Sequence, residues 1–313
     1  MSAALEAAAA GASAIVAVGA EAAGRVGEET SFILLQRIVE QVDVPVWVRG
    51  GIGLNTVAAC AAGGARGVLV DSQLALVKEA STSAEIRQAV AGMDGSEART
   101  YGGYSIFHRP GLPSATLPEG IDAHQVEERL GGSLQENLVP VGQDGAFAKP
   151  LADRFHTAGG VIHALKQAAA ERVRLARQLE PLGADSPLAS SHGTRYPLAQ
   201  GPMTRVSDTP AFAAEVARAG GLPFMALSMM RGRQVRSVVE ETASLVGDRP
   251  WGVGILGFVP QELREEQLAA LDGTPPPFAL IAGGRPSQAH ALEARGTKTY
   301  LHVPSPSFPV CVC

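Results

Sequence analysis

Val44-Pro45-Val46-Trp47-Val48-Arg49-Gly50-Gly51-Ile52-Gly53 is an apolar run that ends in glycines. β-Branched and aromatic residues favour a strand, and the glycines let the backbone turn sharply and approach a ligand. A helix of small residues follows at Asn55–Gly63. The pattern recurs at Gly67-Val68-Leu69-Val70-Asp71, a strand signal that closes on Ser72-Gln73. It also precedes the run: Ala14–Val18 reads as a strand closed by Gly19, and Ser31–Val42 carries Phe32, Leu35, Val39 and Val42 at helical spacing. Continuous apolar strands with helices between them predict a parallel sheet covered on both faces.

The same alternation returns from Tyr196 onward. Strand signals lie at Tyr196–Gln200, Leu222–Leu227, Trp251–Leu256, Phe278–Ile281 and Thr299–Val303. Helix signals lie between them at Thr209–Ala219, Gln234–Leu245, Pro260–Leu271 and Gln288–Ala294, each ending near a glycine, as helix C-termini commonly do. Ser307–Cys313 reads as one strand further on. The stretch between the two regions is different. It carries the turn pairs Asp94-Gly95, Gly102-Gly103 and Gly131-Gly132 and one long helix, Gly160–Leu179, followed by a linker, Glu180–Ser191. This gives three segments: 1–92, 93–191 and 192–313.

Composition narrows the function classes. A chain of 313 residues with net charge −5 has no basic field for nucleic acid or anionic lipid. The Ala-rich start, helix Ser2–Ala10 and then a strand, lacks the basic region of a signal peptide, and no run is long enough to span a membrane. Cys60, Cys311 and Cys313 do not form a disulfide framework, so a reducing cytoplasm is expected. No His or Cys spacing suggests a metal site. His108, His124, His156 and His163 lie in the middle segment with no partner pattern, and His192 lies in the linker.

Two successive strand ends, Gly50-Gly51 and then Asp71-Ser72, suggest the phosphate grip that β/α barrels build after their last two strands. Glycines needed only for tight turns are the alternative. Asp71 would repel a phosphate, so its side chain is expected to point away. Gln200-Gly201-Pro202-Met203 ends another strand in small, rigid and thioether residues, a surface that can lie flat against a planar ring. Met203 could equally be core packing.

Tyr196–Leu227 (YPLAQGPMTRVSDTPAFAAEVARAGGLPFMAL) resembles the opening of the nitronate monooxygenase (2-nitropropane dioxygenase) family of FMN barrels. WGVGILGF, FALIAGGRP and GTKTYLHVPSP resemble that family's third, fourth and fifth strands. VGAEAAGRVG, VPVWVRGGIG and GARGVLVDSQLAL resemble its sixth, seventh and eighth. The resemblance is greatest to barrel domains of polyketide or polyunsaturated fatty acid synthase-type proteins, thought to act as enoyl reductases. It implies an α/β fold of TIM (β/α)8 type with units in the order 6-7-8 then 1-5 and a helical and loop insertion between them. It also implies FMN, held by Gly50, Gly51, Asp71, Ser72, Gln200, Gly201, Pro202 and Met203. The implied activity is a flavin-dependent oxidoreductase acting on a nitronate or an enoyl-thioester. Its partners would be a small-molecule or acyl-thioester substrate and other domains of a megasynthase.

The chain departs from the family at two places. Arg25 stands where the family has its base, a His, and arginine stays protonated at neutral pH. Gly254 stands where the family has an Asn that faces the flavin. The catalytic residue is therefore left open, with Arg25 as a substrate- or flavin-holding cation and His302, on the fifth strand, as candidates. A non-catalytic scaffold, or a fragment of a tandem-barrel synthase, is the rival reading. A barrel of the inosine-monophosphate dehydrogenase type needs a loop cysteine, whereas Cys60 falls within a helix. The reversed order of the halves suits either a junction between tandem barrels or one closed, permuted barrel with a protruding middle segment. The closed barrel requires a ladder between Ala14–Val18 and Thr299–Val303.

Overall fold

The computed structural model describes residues 2–303 and divides the chain into two compact units, Met1–Gln178 and Leu179–Cys313. Helix α1 (Ser2–Ala9) opens the first unit and leads into β1 (Ile15–Val18) and the short β2 (Gly24–Arg25). Next come α2 (Ser31–Val39), β3 (Val46–Arg49), α3 (Thr56–Ala62), β4 (Gly67–Leu69) and α4 (Ala84–Ala91). Strands β1, β3 and β4 form a parallel sheet in that order, with Ile15 opposite Val46 and Arg49 opposite Leu69. Alternation along the strands decides what each face does. Ile15, Ala17, Val46 and Val48 pack against Leu35 and Ile38 of α2 and Val57 and Cys60 of α3. Val16, Trp47 and Leu69 point the other way and are 45%, 43% and 37% exposed, so one face of this sheet remains apolar and open.

The middle stretch does not protrude, contrary to the expectation from its turn-rich sequence. β5 (Ala98–Tyr101) and β6 (Tyr104–Phe107) form an antiparallel hairpin through Gly102 and Gly103, both at positive φ, as a tight two-residue hairpin turn requires. β6 then pairs with β2, setting Arg25 opposite Tyr104. α5 (Ala123–Glu127) follows, and Val126 packs with Tyr104, Ile106 and Leu138. Val139, Val141 and Ala148 pack with Ile86 and Val90 of α4. α6 (Ala148–Phe155) and the long α7 (Ala158–Leu179) add Leu151, Val161 and Leu165 to the core behind β1 and β3.

The second unit opens with α8 (Pro187–His192), capped by the Ser186 side chain and ended by Gly193 in the left-handed region. β7 (Ala199–Gln200) follows, shorter than the expected Tyr196–Gln200 strand. The chain then alternates: α9 (Pro210–Arg218), β8 (Leu222–Ala226), α10 (Gly232–Val246), β9 (Gly252–Leu256), α11 (Gln261–Leu271), β10 (Phe278–Ala282), α12 (Pro286–Glu293) and β11 (Lys298–Leu301). These strands make a five-stranded sheet in the order β11-β10-β9-β8-β7, its adjacent pairs all parallel. Met225, Val253, Ala279 and Ile281 pack on one face against the helices. Leu222, Phe224 and Phe278 cluster on the other with Leu280 and Tyr300. His192 stacks on Phe278 at 5.3 Å between ring centroids, which gives a structural place to a histidine that reads from sequence as linker.

The architecture is thus α/β with parallel half-barrel sheets. Among the described residues the sheets are β1-β3-β4, β2-β6-β5 and β11-β10-β9-β8-β7, and the ladder that a closed barrel requires between Ala14–Val18 and Thr299–Val303 is not one of their pairings. The terminal strand expected at Ser307–Cys313, with Cys311 and Cys313, lies outside the described residues.

Candidate functional site

In the first unit the C-terminal ends of β1, β3 and β4 gather Glu21, Arg49 to Gly51 and Asp71 to Gln73. Gly50 and Gly51 have φ of +109° and +67°, conformations that side chains rarely adopt, so the turn after β3 needs both glycines. A side chain at Gly50 would also press on the Ala22 amide, 3.1 Å from its Cβ position. Thr56 locks the turn: its Oγ1 accepts from Gly53 N at 2.7 Å and donates to Gly51 O at 2.7 Å.

Protein carboxylates take the donors at these strand ends. Gly51 N–H donates to Asp144 Oδ2 at 3.2 Å. Gln73 Nε2 donates to the same oxygen at 2.9 Å and to Ile52 O at 3.2 Å, while its Oε1 accepts from Asp71 N. Gln73 is completely buried, so its amide is fixed in this bridging position. The Asp71 side chain is held at the end of β4 by two partners. Its Oδ2 pairs with Arg49, whose Nε lies 2.7 Å away, and its Oδ1 accepts from Ser72 N–H at 2.6 Å. Ser72 Oγ accepts from Gly142 N–H at 3.3 Å.

Asp144 comes from the middle stretch and has no counterpart among the residues singled out from sequence. It is 2% exposed, and its Oδ1 has no hydrogen-bond partner. Burial pushes its carboxyl up to about 7, helped by the charges of Asp71 and Glu21 and opposed by the Gly51 N–H and Arg49. Glu21 itself accepts from Ser31 N at 3.0 Å and so satisfies the start of α2, where Thr30 makes no side-chain cap. Gln73 and Glu21 lie within strand-end motifs read from the sequence, but neither is among the residues assigned there to the cofactor. Asp144 sits in Gly142-Gln143-Asp144-Gly145, which reads as turn punctuation like its neighbours, and its meeting with Gly51 spans 93 residues.

These contacts decide the fit of an FMN phosphate. A phosphate needs free donors and a positive or neutral surround. Here Gly51 N–H and Ser72 N–H already serve carboxylates, and three acids, Glu21, Asp71 and Asp144, face one Arg49. In this arrangement the cradle does not accept a phosphate.

In the second unit, Gln200 ends β7 and Gly201, Pro202 and Met203 follow it. Gln200 Nε2 donates to Phe224 O at 3.2 Å and to Gly201 O, and its Oε1 is buried without a partner. Met203 N donates to Ser207 Oγ at 2.7 Å, and the Met203 side chain is 58% exposed, so it is not core. A Cβ at Gly254 would fall on the ring of Pro202.

Neither catalytic candidate lies within these two clusters of contacts. Arg25 is exposed on β2 beside the hairpin. His302 is exposed just past β11, its backbone N–H donating to Ile281 O at 3.2 Å. The His302 backbone thus extends the register of β11 alongside β10 while its side chain stays in solvent. Among the described residues no group of three or more His, Cys, Asp or Glu is placed to hold a metal ion, and no helix is long and apolar enough to cross a membrane.

No family model matches the chain. A putative monooxygenase of Mycobacterium tuberculosis is 34% identical over 185 residues, covering 55% of this chain and 47% of the relative. The chain therefore spans about half the length of the curated relative it matches. Among solved structures, FabK from Thermotoga maritima aligns with a TM-score of 0.50 at 22% identity, over 56% of this chain and 60% of that one. A nitroalkane oxidase from Streptomyces ansochromogenes aligns at a TM-score of 0.35 and 23% identity, over 38% and 43%. The chain resembles monooxygenase-type proteins in sequence and FabK in fold.

Proposed function

We propose that the chain is part of a flavin-dependent oxidoreductase of the monooxygenase type, with FMN as its cofactor. The observation that carries this reading is the 34% identity to a putative monooxygenase. The glycine turn after β3 and the flat Gln200–Met203 strand end support it as local chemistry. Residues 1–92 then correspond to the later strands of an FMN barrel and residues 192–313 to the earlier ones, with 93–191 between them. The residues assigned to the cofactor are Gly50, Gly51, Asp71 and Ser72 in the first unit and Gln200, Gly201, Pro202 and Met203 in the second. The substrate is a nitronate or an enoyl-thioester, and the setting is a cytoplasmic megasynthase.

Arg25 limits the chemistry, because a guanidinium cannot remove a proton from a neutral nitroalkane but can hold an anion. Two assays on the full chain with added FMN separate the substrates. Oxygen uptake is expected with a nitronate and not with the neutral nitroalkane; reduced nicotinamide oxidation is the readout with an enoyl-thioester. Turnover of neither substrate by a flavin-loaded chain would contradict the reading. A second reading, a barrel kept as scaffold, is favoured by one observation: Asp144 sits on the donors that a cofactor phosphate would use.

A further inference from the structure

We propose that residues 142–147 are an internal occupant of the anion cradle: Asp144 holds the place of a phosphoryl group, and an external phosphate monoester binds the first unit only by displacing it. Two donors from separate strand ends, Gly51 N–H and Gln73 Nε2, converge on a single oxygen, Asp144 Oδ2. Such convergence on one oxygen is how backbone and side-chain donors hold a phosphate or carboxylate. Gln73 is wholly buried and bridges to Ile52 O, so its donor is aimed rather than free to turn.

The segment is fitted to this position. Gly142 lies so close to the loop after β1 that a Cβ there would come within 2.6 Å of Ala23 N and closer still to Glu21 O. Gly142 N–H reaches Ser72 Oγ, and Asp144 N–H reaches Glu21 O at 3.3 Å. The backbone of the segment is thereby tied to the β1 and β4 ends on either side of the β3 turn. The second carboxylate oxygen, Asp144 Oδ1, is buried without a partner. An unpaired buried polar atom is costly, and a phosphoryl group would offer the cradle more acceptor positions than this carboxyl does. The cradle therefore holds a carboxyl group less well matched to it than a phosphoryl group, which can be exchanged for one.

The test uses the full chain and inorganic phosphate, so it does not depend on flavin chemistry and fails separately from the functional reading above. Phosphate is titrated into the wild type and into Asp144→Ala, following the backbone amide resonances of Gly51 and Ser72. Removing the carboxylate frees Gly51 N–H and Gln73 Nε2 and lifts the charge repulsion. The expected result is at least about a tenfold gain in phosphate affinity, the factor that corresponds to losing one modest charge-assisted contact. If Asp144→Ala does not fold, Asp144→Ser replaces it: the shorter side chain withdraws from Gly51 N–H and Gln73 Nε2 and carries no charge, and a gain in the same direction is expected. Wild-type binding at Gly51 as tight as in the folded variant, or no gain in the variant, would overturn the proposal.

Discussion

Asp144→Asn is expected to raise the stability of the chain at pH 8 by up to on the order of 4 kcal/mol, from a carboxyl held at about 7 against an ordinary 3.8. The sign follows from proton linkage. Burial makes the folded state hold the Asp144 proton more tightly than the unfolded chain does, so between pH 3.8 and about 7 the native state binds more protons. The stabilisation associated with the neutral acid is complete below the unfolded value and is lost as pH rises through the folded one. Wild-type stability from this group therefore falls across that window and levels off above it. The amide keeps the acceptor for Gly51 N–H and Gln73 Nε2 but cannot ionise. Urea unfolding at several pH values checks this: the variant should gain on the wild type as pH rises and show little difference at pH 4. A variant less stable than the wild type at pH 8 would mean that the ionised carboxylate is the favoured partner of the cradle.

Gly142→Ala is expected to cost about 3 kcal/mol, the upper part of the usual range for overpacking. The added methyl would meet backbone atoms of Ala22 and Ala23, not the flexible end of a side chain, so the clash cannot be relieved by a rotamer change. Relief requires the 142–147 segment to lift, which breaks the Asp144 contacts with Gly51 and Gln73. Faster hydrogen exchange at Gly51 should accompany the loss of stability. Gly132→Ala is the control: its Cβ would meet nothing within 4 Å, and a change within about 0.5 kcal/mol is expected. Equal effects at the two positions would show that the segment is not seated as described.

The parallel strands are legible in the sequence because each is a short apolar run bounded by glycine, and helices at regular spacing leave few other ways to bury such runs. Strand and helix positions from Leu222 to Leu301 follow the sequence reading to within a few residues. The strand at Tyr196 is shorter than its composition suggests. Apolar residues favour it, but only Ala199 and Gln200 find a partner, opposite Leu222 and Pro223. The middle stretch defeats a local reading because its core is assembled from distant pieces: Val126 and Leu138 pack under the Tyr104–Phe107 strand, and that strand pairs with Gly24 and Arg25. No local periodicity records such contacts. The candidate site is half legible for the same reason. Gly50 and Gly51 announce themselves through the backbone conformation that the turn needs. Asp144 acts through burial and through partners far away in the chain, and an acid between glycines looks the same whether it faces solvent or a buried amide.

The central proposal, that the chain belongs to flavin chemistry, is tested most directly by titrating the purified chain and its Asp144→Ala variant with FMN and following flavin fluorescence and visible absorbance. The account predicts saturable quenching with a perturbed flavin spectrum, and tighter binding by the variant. Unchanged FMN fluorescence with both folded proteins would contradict it.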